Sequence, residues 1–175
     1  KPVEGINSRL LPTRNELDPE RLMSNRGTCY RGCVIYGEGF IFTDDDAASQ
    51  RAGTVEEGMD LLRNNPSHSE ALLPLIGGKE VLDSPSHSPR RMAICFGDMR
   101  LDECKSRYPE LIKIAERTVK PMRDSIKGDY SVALRRKEYW WQYGTYATAL
   151  YAAVESAELV ISLSKVAVHT VFAVI

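Results

Sequence analysis

The sequence predicts a mixed α/β domain with a small, largely antiparallel sheet flanked by helices. Short β-type runs are interspersed with longer helical patterns, and strand pairs are expected near both ends of residues 28–175. The 175 residues are 43% hydrophobic and 27% charged, which is close to the soluble globular average of roughly 45–50% and about 25%. A chain of this length and composition buries one core, so wholesale disorder is excluded.

Residues 1–27 are polar and contain three prolines, which predicts an extended entry segment with one short helix after Asp18. We expect residues 28–175 to form one domain. Two β-rich runs on either side of Gly37 and Gly39 suggest a hairpin or a bulged bend. Thr43, followed by three aspartates, predicts the start of a helix. A metal cluster is the less favoured interpretation of those aspartates.

The middle of the chain carries strong local signals. Thr54 and Glu57 form a capping-box pattern, which predicts a helix through about Asn64. A short apolar element is expected over residues 71–76, a loop over 83–89, and a strand buried on both faces over 91–96.

The C-terminal half begins with a predicted helix over residues 101–125 that bends at Pro109 and Pro121. Its apolar residues recur at three- and four-residue spacing and define one buried face. Residues 139–157 also have a helical composition. Two strands are expected over 159–164 and 170–175, and the apolar end of the second suggests a fragment truncated at the C-terminal side of a longer polypeptide.

Motifs for common chemistry are missing from the sequence. It has no P-loop, no third glycine after Gly37 and Gly39 for a dinucleotide fold, no HExxH and no Gly-x-Ser-x-Gly. The four cysteines lack metal-site spacing, so we expect free thiols in a reducing cytoplasm and no metal. No run is long enough to span a membrane, which needs ~20 apolar residues. We therefore expect neither catalysis nor a membrane partner.

The charge distribution points to a binding surface, although the net charge of −1 does not indicate a nucleic-acid binder by itself. Between residues 113 and 137 there are eight basic and three acidic side chains. The basic ones are candidate phosphate contacts: Lys113, Arg117, Lys120, Arg123, Lys127, Arg135, Arg136 and Lys137. Several follow helical spacing and would form a ridge. An ordinary solvated helix face explains the same pattern.

The aromatic run Tyr139-Trp140-Trp141-Gln142-Tyr143 follows this basic region directly. Aromatic rings beside basic residues are typical of stacking platforms for single-stranded nucleic acid. Tryptophans within a predicted helix are also typical core anchors.

Eight short motifs occur in a definite order over residues 25–175. The first four are Gly27-Thr28-Cys29-Tyr30-Arg31-Gly32, Gly37-Glu38-Gly39-Phe40, Leu73-Pro74-Leu75-Ile76-Gly77-Gly78-Lys79-Glu80-Val81 and Ser88-Pro89. The other four are Ala93-Ile94-Cys95-Phe96-Gly97-Asp98-Met99, Val119-Lys120-Pro121-x-Arg123, Trp140-Trp141-Gln142-Tyr143 and Ser164-Lys165-Val166-x-x-His169. Their order resembles the target recognition domain of MmeI-like type IIL restriction–modification enzymes and related N6-adenine DNA methyltransferases.

The resemblance implies a DNA target-recognition-domain fold that reads duplex DNA for a methyltransferase domain of the same polypeptide. In the family, that domain lies N-terminal and binds S-adenosylmethionine through motifs absent here. The chain alone is therefore not expected to bind this cofactor or to be an enzyme. Its parent would be a methyltransferase of restriction–modification or phage defence, in some relatives with a nuclease domain.

The connection between the last two strands is the expected base-reading region, because it is short, polar at both ends and held by strands. The resemblance implies specificity in the same region. The candidates there are Ser164, Lys165, Ala167 and His169. Three departures from the family pattern occur: Glu80-Val81 replaces Asp-Leu, residues 44–70 suggest an insertion, and Val168 replaces a lysine.

An alternative function keeps the basic ridge and changes its partner. The chain would then be a structural or protein-interaction domain that docks on an acidic protein. A steep salt dependence of affinity for duplex oligonucleotides would favour DNA recognition over this alternative.

Overall fold

The structure, a computed structural model, describes residues 23–25, 27–45 and 50–175. The chain divides into two units, Lys1–Tyr30 and Arg31–Ile175, so the second unit begins three residues after the predicted boundary. In the first unit, Thr28 and Tyr30 donate side-chain hydrogen bonds to the carbonyl oxygens of Asn25 and Gly27. The helix predicted after Asp18 lies outside the described residues.

The second unit is built on a three-stranded antiparallel sheet. Strands β1 (Ile41–Phe42), β2 (Leu72–Leu75) and β3 (Arg91–Ile94) are arranged in the order β1-β3-β2. Ala93 pairs with Ile41 on one side and Leu73 on the other. The central position of β3 follows from its apolar sequence, which is buried on both faces. The predicted mixed fold with a small, largely antiparallel sheet is confirmed.

Residues 31–45 depart from the expected hairpin. The two β-rich runs do not pair with each other; Val34 pairs with Thr145 instead, while β1 pairs with β3. Tyr36 and Gly37 both have positive φ, 57° and 104°, and turn the chain between the runs. The chain therefore bends between the two runs, but the runs do not form a hairpin.

The capping box predicted the helix α1 (Val55–Asn64) correctly. The Thr54 hydroxyl accepts from the Glu57 backbone N–H, and the Glu57 carboxylate accepts from that of Thr54. Asp44 also accepts from the backbone N–H of Val55 at 3.0 Å. No helix begins at Thr43 within the described residues; positions 46–49, where it would have continued, lie outside them.

Proline divides the predicted helix over 101–125 into three. Helices α3 (Leu101–Arg107), α4 (Pro109–Thr118) and α5 (Lys120–Asp124) carry Pro109 and Pro121 in the first turns of α4 and α5. Leu111, Ala115 and Val119 are fully buried, so the predicted apolar face is confirmed. The earlier α2 (Gly78–Asp83) precedes the predicted loop.

Residues 139–157 are only partly helical, so this prediction is wrong for its first half. A helix not predicted, α6 (Ser131–Glu138), ends before the aromatic run, and α7 begins only after it (Thr148–Glu155). Trp140 and Trp141 are buried, and the Trp141 indole donates to the carbonyl oxygen of Met99 at 2.9 Å. The tryptophans are core anchors, not a stacking platform.

The last two strands form a separate antiparallel pair, β4 (Ile161–Leu163) and β5 (Phe172–Val174), shorter than predicted. Flanking Val160 and Ile175 exchange two backbone hydrogen bonds of 2.9 Å. All four cysteines are free, as expected. None of the described helices combines the length and hydrophobicity that a membrane crossing requires.

Candidate functional site

A depression of about 380 Å³ on the second unit gathers basic side chains from distant parts of the sequence. We call it the arginine pocket. Its lining residues are Arg31, Val34, Tyr36, Ser131, Val132, Arg135, Arg136, Gly144 and Thr145. Three of these are arginines and none is acidic, so the depression attracts anions.

The backbone builds the floor of the arginine pocket from two chain segments. Val34 and Thr145 exchange backbone hydrogen bonds of 2.9 and 3.1 Å, which join the segment before α1 to the segment before α7. Gly144 lies against the Tyr36 ring so closely that a Cβ there would be 2.4 Å from a ring carbon. Only glycine permits this approach without displacement of the ring.

Helix α6 provides the wall of the arginine pocket. The guanidinium carbon of Arg136 lies 3.5 Å from the centre of the Tyr36 ring, and that of Arg135 lies 5.8 Å from the Tyr139 ring. Such cation–π contacts orient a guanidinium group while its N–H donors remain available. Arg136 Nε is buried and has no hydrogen-bond partner within the described part of the chain.

The prediction that Arg123 belongs to an exposed basic ridge is wrong. Its side chain is only 1% exposed and donates to the carbonyl oxygens of Ile35 at 3.1 Å and Gln142 at 3.5 Å, so it does not reach a phosphate. Arg123 comes one helical turn after the buried Val119, and its backbone N–H donates to the Val119 carbonyl oxygen at 3.0 Å, so its side chain lies on the buried face and not on the exposed ridge. Burial, and secondarily the nearby charge of Arg136, lower the pKa of Arg123 to about 10.

The remaining phosphate candidates differ in their surroundings. Lys113, Arg117, Lys127 and Arg135 are exposed, and Lys137 is half-buried. Lys120 forms an ion pair with Asp124 at 3.3 Å. Arg117 lines another depression together with the acidic Glu57 and Asp60. Of the eight predicted residues, only Arg135 and Arg136 line the arginine pocket.

Sequence reasoning did not single out Arg31 as a phosphate contact. Arg31 belongs to the first of the eight short motifs and lies far from α6 in the sequence. The pairing of Val34 with Thr145 brings it to the depression that Arg135 and Arg136 also line. A long-range pairing of this kind leaves no local sequence signal.

The base-reading candidates lie in the connection between β4 and β5, away from the lining of the arginine pocket. Lys165, Ala167 and His169 are exposed. Ser164 is half-buried, donates to the carbonyl oxygen of Val166 at 3.0 Å and lies next to Gly78 of α2. The Ser164 hydroxyl therefore stabilises the connection. Lys165, Ala167 and His169 are the candidates that are exposed to a ligand in solvent.

A second depression of about 300 Å³ is lined by both acidic and basic residues. Four of these residues form two ion pairs within the protein. Arg91 donates two hydrogen bonds of 2.7 Å to Glu80, and Lys79 pairs with Asp45. No group of three or more potential metal-ligating side chains occurs among the described residues. Of these three depressions, the arginine pocket is the one whose described lining residues include basic and no acidic side chains.

The arginine pocket thus brings three arginines to a floor that two backbone hydrogen bonds hold together, without a carboxylate among its described lining residues. That arrangement suits the binding of an anion. No protein-family model, curated protein or solved structure matches this chain.

Proposed function

We propose that this chain is a sequence-specific DNA recognition module. It binds duplex DNA and positions it for an S-adenosylmethionine-dependent N6-adenine methyltransferase domain of the same polypeptide. The observation that supports this proposal is that Arg31, Arg135 and Arg136 line one depression whose described lining includes no acidic residue. The module itself contributes binding and no catalytic step.

In this proposal, one surface binds the DNA backbone and another reads the bases. The arginine pocket binds backbone phosphate, since guanidinium groups donate paired hydrogen bonds to phosphate oxygens. The exposed Lys165, Ala167 and His169 read base edges in the major groove, where Lys contacts guanine and a methyl group contacts thymine. The four free cysteines fit a reducing cytoplasm, the compartment that we propose.

The test is the salt dependence of duplex binding. Replacement of both Arg135 and Arg136 by Gln should reduce the slope of log affinity against log salt by about 2 × 0.9, or 1.8. All duplex sequences should weaken about equally, because phosphates carry no sequence information. Arg90→Gln is a matched control, since Arg90 is exposed and lies outside the arginine pocket.

Two results would contradict the proposal. One is the absence of duplex affinity at low salt, and the other is an unchanged slope in a double variant that retains the wild-type circular dichroism spectrum. An acidic protein partner is the second candidate, because the same unbalanced arginines would attract carboxylates. Tight, pocket-dependent binding of an acidic peptide without duplex binding would favour that candidate.

A further inference from the structure

We propose that the arginine pocket is a receptor for a single phosphate group, and that buried Arg123 strengthens its attraction for that group. This inference rests on the proposed function for the choice of site. It adds the chemical class of the bound group and an electrostatic role for a residue that does not touch it.

Arg123 carries a positive charge in the interior. Its side chain is 1% exposed and donates to the backbone carbonyl oxygens of Ile35 and Gln142. Its Nε, like that of Arg136, is buried without a partner in the described part of the chain. The positive charge of Arg136 also acts on Arg123. An anion bound near Arg136 would therefore offset the repulsion between the two guanidinium groups.

Arg123 contacts both backbone segments that form the floor of the pocket. Ile35, which accepts from Arg123, lies between Val34 and Tyr36, and Gln142 lies two residues before Gly144. Arg123 therefore holds together the two backbone segments that line the depression. Its charge adds to the potential of the pocket through a medium with less screening than water.

Stacking on Tyr36 orients Arg136 before any ligand binds. The Tyr36 ring fixes Arg136 from one side, and Gly144 supports the ring. Little side-chain freedom is then lost when Arg136 binds its ligand. Three arginines line one depression, and a phosphate suits such a lining because its several oxygens can accept bidentate hydrogen bonds from more than one arginine.

The lining also accommodates the rest of a phosphate ester. Val34 and Val132 provide apolar surface beside the arginines, and the volume of about 380 Å³ lies within the range of small-molecule sites, about 300–1,000 Å³. Sugar carbons next to the phosphate would contact the valines. The ligand class is therefore a phosphate group with a sugar substituent, either at a strand end or within a strand.

Thermal unfolding in inorganic phosphate, against chloride at the same ionic strength, tests the pocket directly. Phosphate should raise the Tm of the wild type with saturation, because a ligand that binds only the folded state stabilises it. Arg136→Gln and Arg31→Gln should each raise the phosphate Kd about tenfold, the loss expected for one charge-assisted hydrogen bond. Arg90→Gln should retain the wild-type response.

An equal Tm rise in all variants would overturn the proposal, since phosphate also stabilises proteins through general exclusion from their surface. The absence of any phosphate-specific rise would overturn it as well. Arg31→Gln keeps the test decisive if Arg136→Gln fails to fold, because Arg31 is exposed.

Oligonucleotides separate the two sources of the phosphate. Tighter binding of a 5′-phosphorylated duplex than of its unphosphorylated form assigns the pocket to a strand end, and equal, pocket-dependent binding assigns it to the backbone. Saturable phosphate binding without duplex affinity would retain the receptor and reject the DNA function. Duplex binding whose salt slope depends on Arg135 and Arg136, without saturable binding of free phosphate, would reject the receptor alone.

Discussion

Arg136 stacks on the ring of Tyr36, with its guanidinium carbon 3.5 Å from the ring centre. The two residues are distant in sequence and meet because Val34 pairs with Thr145. Tyr36 adopts φ of 57°, a left-handed conformation that is uncommon for a non-glycine residue. That conformation and the support from Gly144 place the ring against the arginine.

We predict that Tyr36→Leu weakens duplex binding about two- to fivefold. An exposed cation–π contact contributes about 0.5–1 kcal/mol, and its loss leaves Arg136 free to adopt other rotamers. Tyr36→Phe retains the ring and should bind like the wild type. Fluorescence anisotropy with a labelled duplex measures both variants; equal affinity for all three proteins would show that the stacking does not position Arg136.

Gly39 should not tolerate a side chain. A Cβ at Gly39 would lie 2.5 Å from the carbonyl oxygen of Thr118, whose hydroxyl donates to the Gly39 carbonyl at 2.7 Å. Gly39→Ala must therefore displace the end of α4, and we expect a loss of about 1–3 kcal/mol in the free energy of unfolding. At Gly32 a Cβ meets nothing within 4 Å.

Urea unfolding of Gly39→Ala and Gly32→Ala measures this difference. Gly32→Ala should remain within about 0.5 kcal/mol of the wild type, as is usual for surface substitutions. Equal stabilities for the two variants would show that the close approach of Gly39 to α4 costs nothing to relax.

The Glu80–Arg91 pair predicts the acid dependence of stability. Burial favours a higher pKa for Glu80, but hydrogen bonds from Arg91 and from backbone N–H groups outweigh it and lower the pKa below its usual value of 4.5. The folded state therefore favours the ionised carboxylate. This stability is fully present above about pH 4.5 and is lost as the pH falls through the folded pKa.

Glu80→Gln should reduce the free energy of unfolding at pH 7 by roughly 1.5–3 kcal/mol, typical of a hydrogen bond to a charged group. Its stability should also fall less than that of the wild type between pH 5 and the acid limit of folding. The exposed Glu116 supplies the control, Glu116→Gln. Urea titrations across this pH range measure both effects, and parallel acid profiles for Glu80→Gln and the wild type would refute this assignment.

Replacement of Lys165 tests the proposal that the connection between β4 and β5 reads bases. Lys165 is exposed in this connection, so in the intact polypeptide Lys165→Ala should alter the preference at one base pair by roughly 1–3 kcal/mol and spare non-specific binding. Binding to a library of single-base-pair duplex variants measures this. Uniform weakening would make Lys165 a phosphate contact, and no change would place base reading elsewhere.

Local interactions account for the features that sequence reasoning predicted correctly. The capping box at Thr54 started α1, and Pro109 and Pro121 interrupted the long helix, because caps and prolines act within a few residues. The buried run at β3 likewise identified a central strand. These signals were sufficient for the mixed fold class.

The sequence by itself determined where α1 begins, that the helical stretch over 101–125 is interrupted, and that β3 is buried, since these features depend on neighbouring residues. Only the tertiary structure decided which basic residues act together. Packing buried Arg123 on the same face as Val119, one helical turn earlier, and the pairing of Val34 with Thr145 brought Arg31 to the depression that Arg135 and Arg136 line. Spacing along a chain specifies a shared face only within one continuous helix, whereas this pocket depends on contacts between residues that are distant in sequence.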